Sequence, residues 1–262
     1  MIKFSKSHLG ILMRICTLAS GSSGNSLYIE SSRSKILVDA GIGPRILKKR
    51  LESIDVNIND IDAVIVTHEH EDHTRAITKI RIPVYVATET VPIWKNSVES
   101  INEFESDEPF EINDLFITPF SVPHDAIDPV GFTIQTDNLK VGVVTDIGSV
   151  TSLVVEKLKG SNVLVLESNH DINLLFYSQY PWMLKQRIKG RLGHLSNVQS
   201  GALLNTLIHN DLKYVVLAHL SIINNCPKVA FEEAMKIINR KDTDSIKVHV
   251  APRKTVGEVL SI

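Results

Sequence analysis

The sequence predicts an α/β protein, because strand-like and helix-like segments alternate along the chain. Runs rich in Val, Ile and Leu have the length of strands buried on both faces, and other segments repeat apolar residues at helical spacing. Helices both between and after strands indicate layers of helix packed on sheet, not an all-β sandwich. The predicted strands are 14–19, 27–29, 35–38, 62–67, 83–87, 115–122, 131–135, 140–145, 162–166, 214–218 and 246–250, and the predicted helices are 44–53, 150–159, 182–189, 197–210 and 228–240.

The length of 262 residues suits one large domain. No linker, repeat or low-complexity stretch marks an internal boundary, so we predict a single domain over 13–262. Regular patterning begins only at Arg14, which makes residues 1–12 a loose leader and Met13 a candidate natural start. No apolar run approaches the ~20 residues of a membrane span, and no cleavage site suggests a signal peptide.

Charge and cysteine content limit the partners and the compartment. The formal net charge of −2 argues against a protein that coats nucleic acid non-specifically, but it leaves room for a local basic groove. Cys16 and Cys226 are too few for a disulfide framework and lack zinc-finger spacing, so a reducing cytoplasm is expected. The oligomeric state is not predicted.

Histidine and aspartate cluster in the segment THEHEDH at 67–73, directly after a predicted strand. In an extended chain His68 and His70 point to the same side, because side chains alternate with period two. If a helix starts near Asp72, then Asp72 and His73 turn toward a different point in space. One metal ion can take the first pair and a second metal ion the other. A lone histidine is more often structural, but packing gives no reason to gather so many mutually repelling groups.

Three further candidate ligands follow other predicted strands. His124 follows FSVP, Asp146 closes KVGVVT and His219 ends YVVLA, and open α/β sheets assemble their sites beyond the carboxyl ends of strands. Two cations held ~3.5–4 Å apart need a bridging anion. Asp146 is the natural bridge, while His124 would complete the first metal site and His219 the second. Imidazole and carboxylate suit a pair of divalent ions, Zn or Mn, with Fe as a further candidate.

The HxHxDH pattern at 68–73, followed in order by His124, Asp146 and His219, resembles the metallo-β-lactamase superfamily. The resemblance covers nearly the whole chain, and the segments CTLASGSSGNS, TDIG, LESNHD and GHLSN resemble its YycJ/WalJ branch, which is related to RNase Z, RNase J and the PhnP phosphodiesterases. It implies an αββα four-layer sandwich, a dinuclear site and nuclease activity, including 5′-to-3′ DNA exonuclease action. The chain departs from the lactamases in offering aspartate instead of cysteine at the second metal, and from the large nucleases in lacking their β-CASP insertion.

Phosphodiester hydrolysis is the leading functional prediction. A hydroxide shared by two metal ions would attack, because the ions lower the pKa of a bound water and stabilise charge on the phosphoryl oxygens. Asp72 would steer the water, and His194 would contact the phosphate or protonate the departing oxygen. The resemblance favours DNA as the partner. Two alternatives stay open, namely hydrolysis of a thioester or another small molecule, as in glyoxalase II, and a non-catalytic binding module stabilised by metal.

The loop GSSGNS at 21–26 lies between two predicted strands and lacks the lysine of a phosphate-binding P-loop. Its backbone N–H groups, with Ser23 and Asn25, are candidate phosphate contacts. An ordinary hairpin turn explains the same residues.

The loop GHLSN at 193–197 precedes a predicted helix, whose N-terminus is a ready anion site beside His194. Ser196 and Asn197 are therefore candidate substrate contacts. Ser196 and Gln199 also match a capping box, which explains the serine without any function.

Polar residues after the predicted strand NVLVL have two interpretations. Asn169 and His170 are candidate substrate contacts. Together with Glu167 and Asp171, they could also orient ligand imidazoles or cap the next helix.

Basic residues further on could follow a nucleic-acid backbone or form a solvated helix face. Neighbouring aromatic residues could stack on bases, although core packing explains most of them. These residues are Lys185, Arg187, Lys189 and Arg191 in the basic stretch, and Phe176, Tyr177, Tyr180 and Trp182 among the aromatics.

Overall fold

A computed structural model describes residues 13–241 and 245–262 and arranges them in four layers, helix–sheet–sheet–helix. The predicted leader at 1–12 lies outside the described residues. The layering follows from the strands, whose continuous apolar runs have to be covered on both faces. Among the described residues, no helix has the length and apolarity needed to cross a membrane.

The first sheet has seven strands and mixes antiparallel and parallel pairing. Its members are β1 (Arg14–Ala19), β2 (Ser26–Glu30), β3 (Lys35–Val38), β4 (Ala63–Ile65), β5 (Val84–Ala87), β6 (Ile101–Phe104) and β14 (Leu260–Ser261). Their order is β14-β1-β2-β3-β4-β5-β6. Strands β3 to β6 run parallel to one another, so their carboxyl ends share one edge of the sheet.

The second sheet also has seven strands. They are β7 (Phe110–Ile112), β8 (Leu115–Ser121), β9 (Val130–Gln135), β10 (Lys140–Val144), β11 (Val163–Glu167), β12 (Tyr214–Ala218) and β13 (Lys247–Val250). Their order is β13-β12-β11-β10-β9-β8-β7, and β10 to β13 are parallel. The parallel strands again bring the carboxyl ends of β10, β11 and β12 to one edge.

Helices cover the outer face of each sheet. The helix α1 (Pro44–Glu52) begins with a proline, whose missing N–H costs nothing at a helix start. Helix α8 (Pro227–Arg240) begins in the same way. The remaining helices are α2 (Glu71–Thr74), α3 (Val91–Trp94), α4 (Ser152–Leu158), α5 (Ile172–Tyr177), α6 (Trp182–Lys189) and α7 (Asn197–Leu207).

Three apolar clusters hold the layers together. The central cluster joins the facing sides of both sheets, with Ile36 from the first and Phe132 from the second. A second cluster packs α1 against the first sheet through Leu47 and Leu51, and a third packs α4, α7 and α8 against the second sheet. Each buried aliphatic side chain contributes about 1.5–3 kcal/mol relative to an exposed one. The predicted αββα sandwich is therefore confirmed.

The strands β6, β7 and β14 and the short helices α3 and α5 were not predicted, whereas α2 lies where the sequence analysis considered a helix start near Asp72. Strand β6 reads INEF, and its first three residues are not fully buried, so an apolar run is missing. Strand β14 has only two residues. Elements this short have no periodicity to read, and it is their neighbours in the fold that define them.

Candidate metal centre

The first histidine group consists of His68, His70 and His124, whose ligand nitrogens lie within 4.8 Å of one another. The segment after β4 is not extended as expected but bends at Thr67 and Glu69, and His68 Nε2 and His70 Nδ1 still face each other at 3.0 Å. The third member follows β8, and its Nδ1 faces the carbonyl oxygen of Gly193 at 3.2 Å. That contact turns the opposite nitrogen of His124 toward the other two rings.

The second group consists of Asp72, His73 and His219, whose ligand atoms also lie within 4.8 Å of one another. Helix α2 begins at Glu71 and carries Asp72 and His73. The two groups adjoin, because the ring centres of His68 and His73 are 4.1 Å apart. The Oδ2 atom of Asp72 lies 3.7 Å from the Nε2 atoms of both His73 and His219. A side chain at Gly41 would collide with the Asp72 carbonyl, so glycine is needed where this loop passes.

Asp146 lies between the two groups and is 3% exposed. Its Oδ2 atom is 3.1 Å from His73 Nε2, and its Oδ1 atom is 3.9 Å from His124 Nε2. One buried carboxylate therefore reaches a member of each group.

Backbone conformation directs several of these side chains. Asp39, Asp146 and His219 follow β3, β10 and β12, and all three have positive φ angles, of 63°, 55° and 55°. Non-glycine residues rarely adopt this left-handed region, although Asp and His tolerate it better than most. Such conformations gather at functional sites, where they are maintained by the surrounding structure. Here they turn the chain at the strand ends that carry the site.

Two buried carboxylates hold the rings of the second group from behind. Asp39 Oδ2 accepts from His73 Nδ1 at 2.7 Å, and Glu167 Oε1 accepts from His219 Nδ1 at 3.0 Å. Thr67 donates through its backbone N–H to Asp39 Oδ1 at 2.9 Å. Each contact leaves Nε2 of the imidazole free to face the site, as in metal-ligating histidines. Asp39 was not predicted from the sequence, and its only signal is its position directly after the strand KILV.

The two groups differ in their affinity for protons. Burial lowers the pKa of His68 well below its usual value, and the neighbouring His73 lowers it further. Burial also lowers the pKa of His124. These two imidazoles are neutral near pH 7, the form in which histidine binds a metal ion.

The rings of the second group have the opposite behaviour. Burial alone would lower the pKa of His73, but Asp39 and Asp146 raise it well above its usual value. His219 is likewise raised, to about 10, against the effect of burial and chiefly by Asp146. Burial acts to raise the pKa of Asp146, but His219 and His73 hold it well below its usual value. The carboxylates thus create a negative site that calls for positive charge.

The donor set fits divalent cations. Asp146 Oδ2 and His219 Nε2 are buried and form no hydrogen bond with any described residue. In the first histidine group, His68 Nε2 and His70 Nδ1 face each other at 3.0 Å, an arrangement that a cation between them would also satisfy. Leaving buried polar atoms unpaired costs about 1–3 kcal/mol each, and a cation at each group would satisfy them. Nitrogen and oxygen ligands of this kind suit Zn²⁺, Mn²⁺ or Fe²⁺.

His194 adjoins the centre at the wall of an open cleft of about 340 Å³, which Asp72, Asp146 and His219 also line. Its Nδ1 donates to Glu167 Oε1 at 2.8 Å and lies 3.6 Å from Asp146 Oδ1. Burial alone would lower the pKa of His194, but Glu167 raises it above its usual value.

Glu167 belongs to the set that the sequence offered as supports for ligand imidazoles or as helix caps, and the structure favours the first of these roles for it. Its Oε1 atom accepts from both His194 and His219, and its Oε2 atom accepts from the backbone N–H groups of Ile147 and Leu195. Burial acts to raise the pKa of Glu167, but His194 lowers it to about 2. This single carboxylate therefore links three of the loops that form the site.

Comparison with known proteins agrees with this geometry. A family model described as a β-lactamase superfamily domain matches residues 34–219. Exodeoxyribonuclease YycJ of Bacillus anthracis is 32% identical over 241 residues, which cover 87% of this chain and 90% of that protein. Exodeoxyribonuclease WalJ of Streptococcus pneumoniae is 35% identical over 224 residues, which cover 81% of this chain and 83% of that protein.

The chain belongs to the β-lactamase superfamily, in the branch of YycJ and WalJ. The metallo-β-lactamase-fold protein YhfI of Bacillus subtilis has the same fold, with a TM-score of 0.73 and 18% identity over 97% of this chain and 100% of that one. Membership confirms the predicted enzyme class, a metal-dependent hydrolase, and with the histidine and carboxylate clusters it supports binding of divalent metal.

The loop at 21–26 contacts the candidate metal centre through Asn25. The Asn25 amide nitrogen lies 2.9 Å from His73 Nε2 and donates to Asp72 Oδ2 at 3.3 Å. Ser23 is exposed and its carbonyl accepts from Arg75. Ser22, which was not predicted, is the serine of this loop that lines the cleft.

The structure separates the roles of the residues at 169–171, for which the sequence allowed substrate contact, support of ligand imidazoles or helix capping. Asn169 lines the cleft and donates to the carbonyl oxygen of His219 at 2.9 Å. Asp171 caps α5 by accepting from the backbone N–H groups of Asn173 and Leu174. His170 is buried and lines a different cavity.

Ser196 and Asn197 lie in buried contacts outside the lining of the metal cleft. Ser196 forms the capping box with Gln199 at the start of α7. Asn197 exchanges hydrogen bonds with Ser168 and Asn225. Their structural interpretation thus has direct support, whereas their contact with substrate stays a prediction.

The interpretation of the aromatic residues as mostly core was wrong. Phe176, Tyr177 and Trp182 are 61%, 78% and 61% exposed. Helices α5 and α6 project beyond the three apolar clusters, so the layers do not cover them. Among the basic residues, Arg187 lines the metal cleft and pairs with Asp125 at 3.0 Å.

Proposed function

We propose that the chain is an exodeoxyribonuclease that hydrolyses DNA phosphodiester bonds with the help of two divalent cations. The named relatives YycJ and WalJ support the nuclease activity and the DNA substrate. The observation that carries the proposal is the position of Asp146, a buried carboxylate within reach of a histidine from each of two adjoining ligand groups. A single cation site would not need both groups.

The ligands divide into two sets that share one carboxylate. The first histidine group, completed by Asp146, would hold one cation, and the second group, also with Asp146, would hold the other. Zinc or manganese suits these donors best, with iron as a further candidate. Two such ions would supply positive charge for the phosphoryl oxygens and a water of lowered pKa.

His194 is placed to give a proton to the departing oxygen. Its Nδ1 is held by Glu167, so its Nε2 is the nitrogen left for the substrate. Glu167 raises the pKa of His194 above its usual value, against the effect of burial, and so favours the protonated form that a general acid needs. Asp72, at the cleft wall, would orient the attacking water. The direction of digestion, 5′ to 3′, is taken from the resemblance, and the cytoplasmic location is taken from the low cysteine content.

An assay of metal-loaded protein on end-labelled single- and double-stranded DNA and RNA tests the proposal. We expect mononucleotides to appear first from the 5′ end of DNA, and we expect a chelator to stop their release. A thioester of the glyoxalase II type serves as the competing substrate. Fast thioester hydrolysis without cleavage of any nucleic acid would refute the nuclease and favour a small-molecule hydrolase. Metal binding without turnover of either substrate would favour a binding module.

A further inference from the structure

A second cavity, of about 310 Å³, lies behind helix α6 as seen from the metal cleft. Leu184, Arg187 and Ile188 of α6 line the metal cleft. Trp182 and Lys189, about half a turn away around the helix, line the second cavity. One helix therefore forms a shared wall between the two cavities, so a chain leaving the cleft over α6 would reach the second one.

Large aromatic side chains stand open at this second cavity. Trp182 and Phe176 are each 61% exposed, and Ile172 is 53% exposed. Apolar groups of this size rarely stay in water beside one another unless they bind something. The ammonium group of Lys189 lies 5.3 Å from the centre of the Trp182 ring, so the ring already holds a cation beside its face.

A buried histidine with an unpaired ring nitrogen lines the same cavity. His170 is 2% exposed, and its buried Nδ1 forms no hydrogen bond with another described residue. An unpaired buried polar group of this kind is costly. The preceding residue, Asn169, lines the metal cleft, so the two cavities adjoin in the chain as well as across α6.

Charge around the cavity favours a negatively charged partner. Its lining includes Lys185 and Lys189 and no aspartate or glutamate. The segment 171–193 contains four basic residues and one acidic residue, in a chain whose formal net charge is −2. A second copy of this chain would bring an overall negative but largely balanced surface, whereas a nucleic-acid strand carries one negative charge per phosphate.

We propose that this cavity binds an unpaired nucleobase of the DNA strand whose backbone enters the metal cleft. The base would stack on Trp182, and the phosphates beside it would face Lys185 and Lys189. His170 would hydrogen-bond to the edge of the base. The inference rests on the proposed nuclease function and adds a subsite that selects single-stranded DNA, because a paired base cannot leave its stack without cost.

The first test compares kinetic constants of full-length, metal-loaded variants on a short single-stranded oligothymidylate. Trp182→Ala should raise KM about tenfold, the scale of one lost stacking contact, while kcat stays within about twofold. Trp182→Phe should restore most of the affinity. Met183→Ala is the matched control, because Met183 is 78% exposed on the same helix and lines neither cavity. An unchanged KM for Trp182→Ala would overturn the proposal.

The second test varies the substrate and compares wild type with Trp182→Ala. Oligothymidylates that each lack one base, at successive positions from the labelled end, are compared by their initial rates of cleavage. We expect a single position at which the missing base raises KM about tenfold, and we expect no further rise at that position in Trp182→Ala. Equal KM values at all positions would overturn the subsite while leaving the nuclease function intact. Absence of any DNA cleavage would instead refute the proposed function itself.

The oligomeric state distinguishes a nucleobase from a second copy of the chain as the occupant of this cavity. The proposal expects wild type and Trp182→Ala to elute identically in size-exclusion chromatography. A dimer that Trp182→Ala converts to a monomer would show that a second copy covers this face, and it would overturn the nucleobase subsite.

Discussion

The two candidate ligand groups of the proposed metal centre are both rich in histidine but differ in the residues that support their rings. In the first histidine group, His68 Nδ1 faces the Thr67 hydroxyl at 3.0 Å, and the ring of His124 faces a backbone carbonyl. In the second group, His73 and His219 are each held by a buried carboxylate. Neutral partners support one group, and charged partners support the other.

This difference determines how strongly protons compete with cations for the ring nitrogens of each group. The neutral partners leave the pKa values of His68 and His124 low, so their nitrogens are ready for a cation at neutral pH. The carboxylates raise the pKa values of His73 and His219, so protons occupy these rings until a cation displaces them. The same carboxylates make the rings more basic, which strengthens the bond to a cation once it forms. We therefore expect the second group to bind more tightly and to depend more on pH.

Removal of the shared carboxylate should have the largest effect. Asp146→Ala takes a ligand from both groups, so we expect the bound metal to fall from two ions to one or none. Loss of several kcal/mol of charge stabilisation corresponds to a fall in kcat/KM on the order of a thousandfold. Metal analysis after dialysis and an oligonucleotide assay measure both effects. Asp211→Ala, at an exposed position, is the control. A variant that keeps two ions and full activity would contradict the shared role.

Replacement of the proposed proton donor should have the next largest effect on activity. His194→Ala should lower kcat on DNA by about a hundredfold or more, the usual contribution of general acid catalysis. The loss should be much smaller on bis-p-nitrophenyl phosphate, whose leaving group departs without a proton. His209→Ala provides a control, since His209 Nε2 bonds the Ser161 carbonyl, outside the centre. Equal losses on both substrates would mean that His194 binds phosphate or supports structure instead of donating a proton.

Neutralising a supporting carboxylate should affect only the second group. Asp39→Asn keeps the shape of the side chain but removes the charge behind His73. We expect the affinity for one cation to fall about 10–100-fold, as for other supporting residues of metal sites, while the other cation stays bound. Isothermal titration of the metal-free protein with Mn²⁺ resolves the two steps. Equal weakening of both steps would show that the two groups are not independently supported.

Proton release is the smallest of the expected effects and tests the pKa contrast itself. At pH 6, His73 and His219 are protonated in the metal-free chain because their pKa values are raised, whereas His68 is neutral. Binding of two Mn²⁺ ions should therefore release about two protons. Titration in buffers of different ionisation enthalpy counts them. Asp39→Asn should reduce the number, and release of no proton from wild type would refute the contrast.

The sequence predicted the ligands from the first sheet more directly than those from the second. His68, His70, Asp72 and His73 lie in one short run, so their spacing alone indicates their directions. His124, Asp146 and His219 come singly from β8, β10 and β12, and only the rule that strand ends converge joined them. Ligand candidates are visible in a sequence because their residue types are unusual at such positions.

The contact between His73 and Asp39 was not predicted, and the support by Glu167 was only one of two interpretations. The hydrogen bond from His73 to Asp39 depends on β3 lying beside β4, and the pair of bonds to Glu167 depends on β11 lying between β10 and β12. Pairing order is a property of the whole fold. The aromatic residues of α5 and α6 were assigned to the core for a related reason, because composition does not show which helices the layers leave uncovered.

Anomalous X-ray scattering from crystals grown with Mn²⁺ or Zn²⁺ tests the central claim most directly. The account predicts two peaks, one among the nitrogens of His68, His70 and His124 and one among Asp72, His73 and His219, with Asp146 touching both. A single peak at one group, or no peak at either, would contradict the two-cation centre.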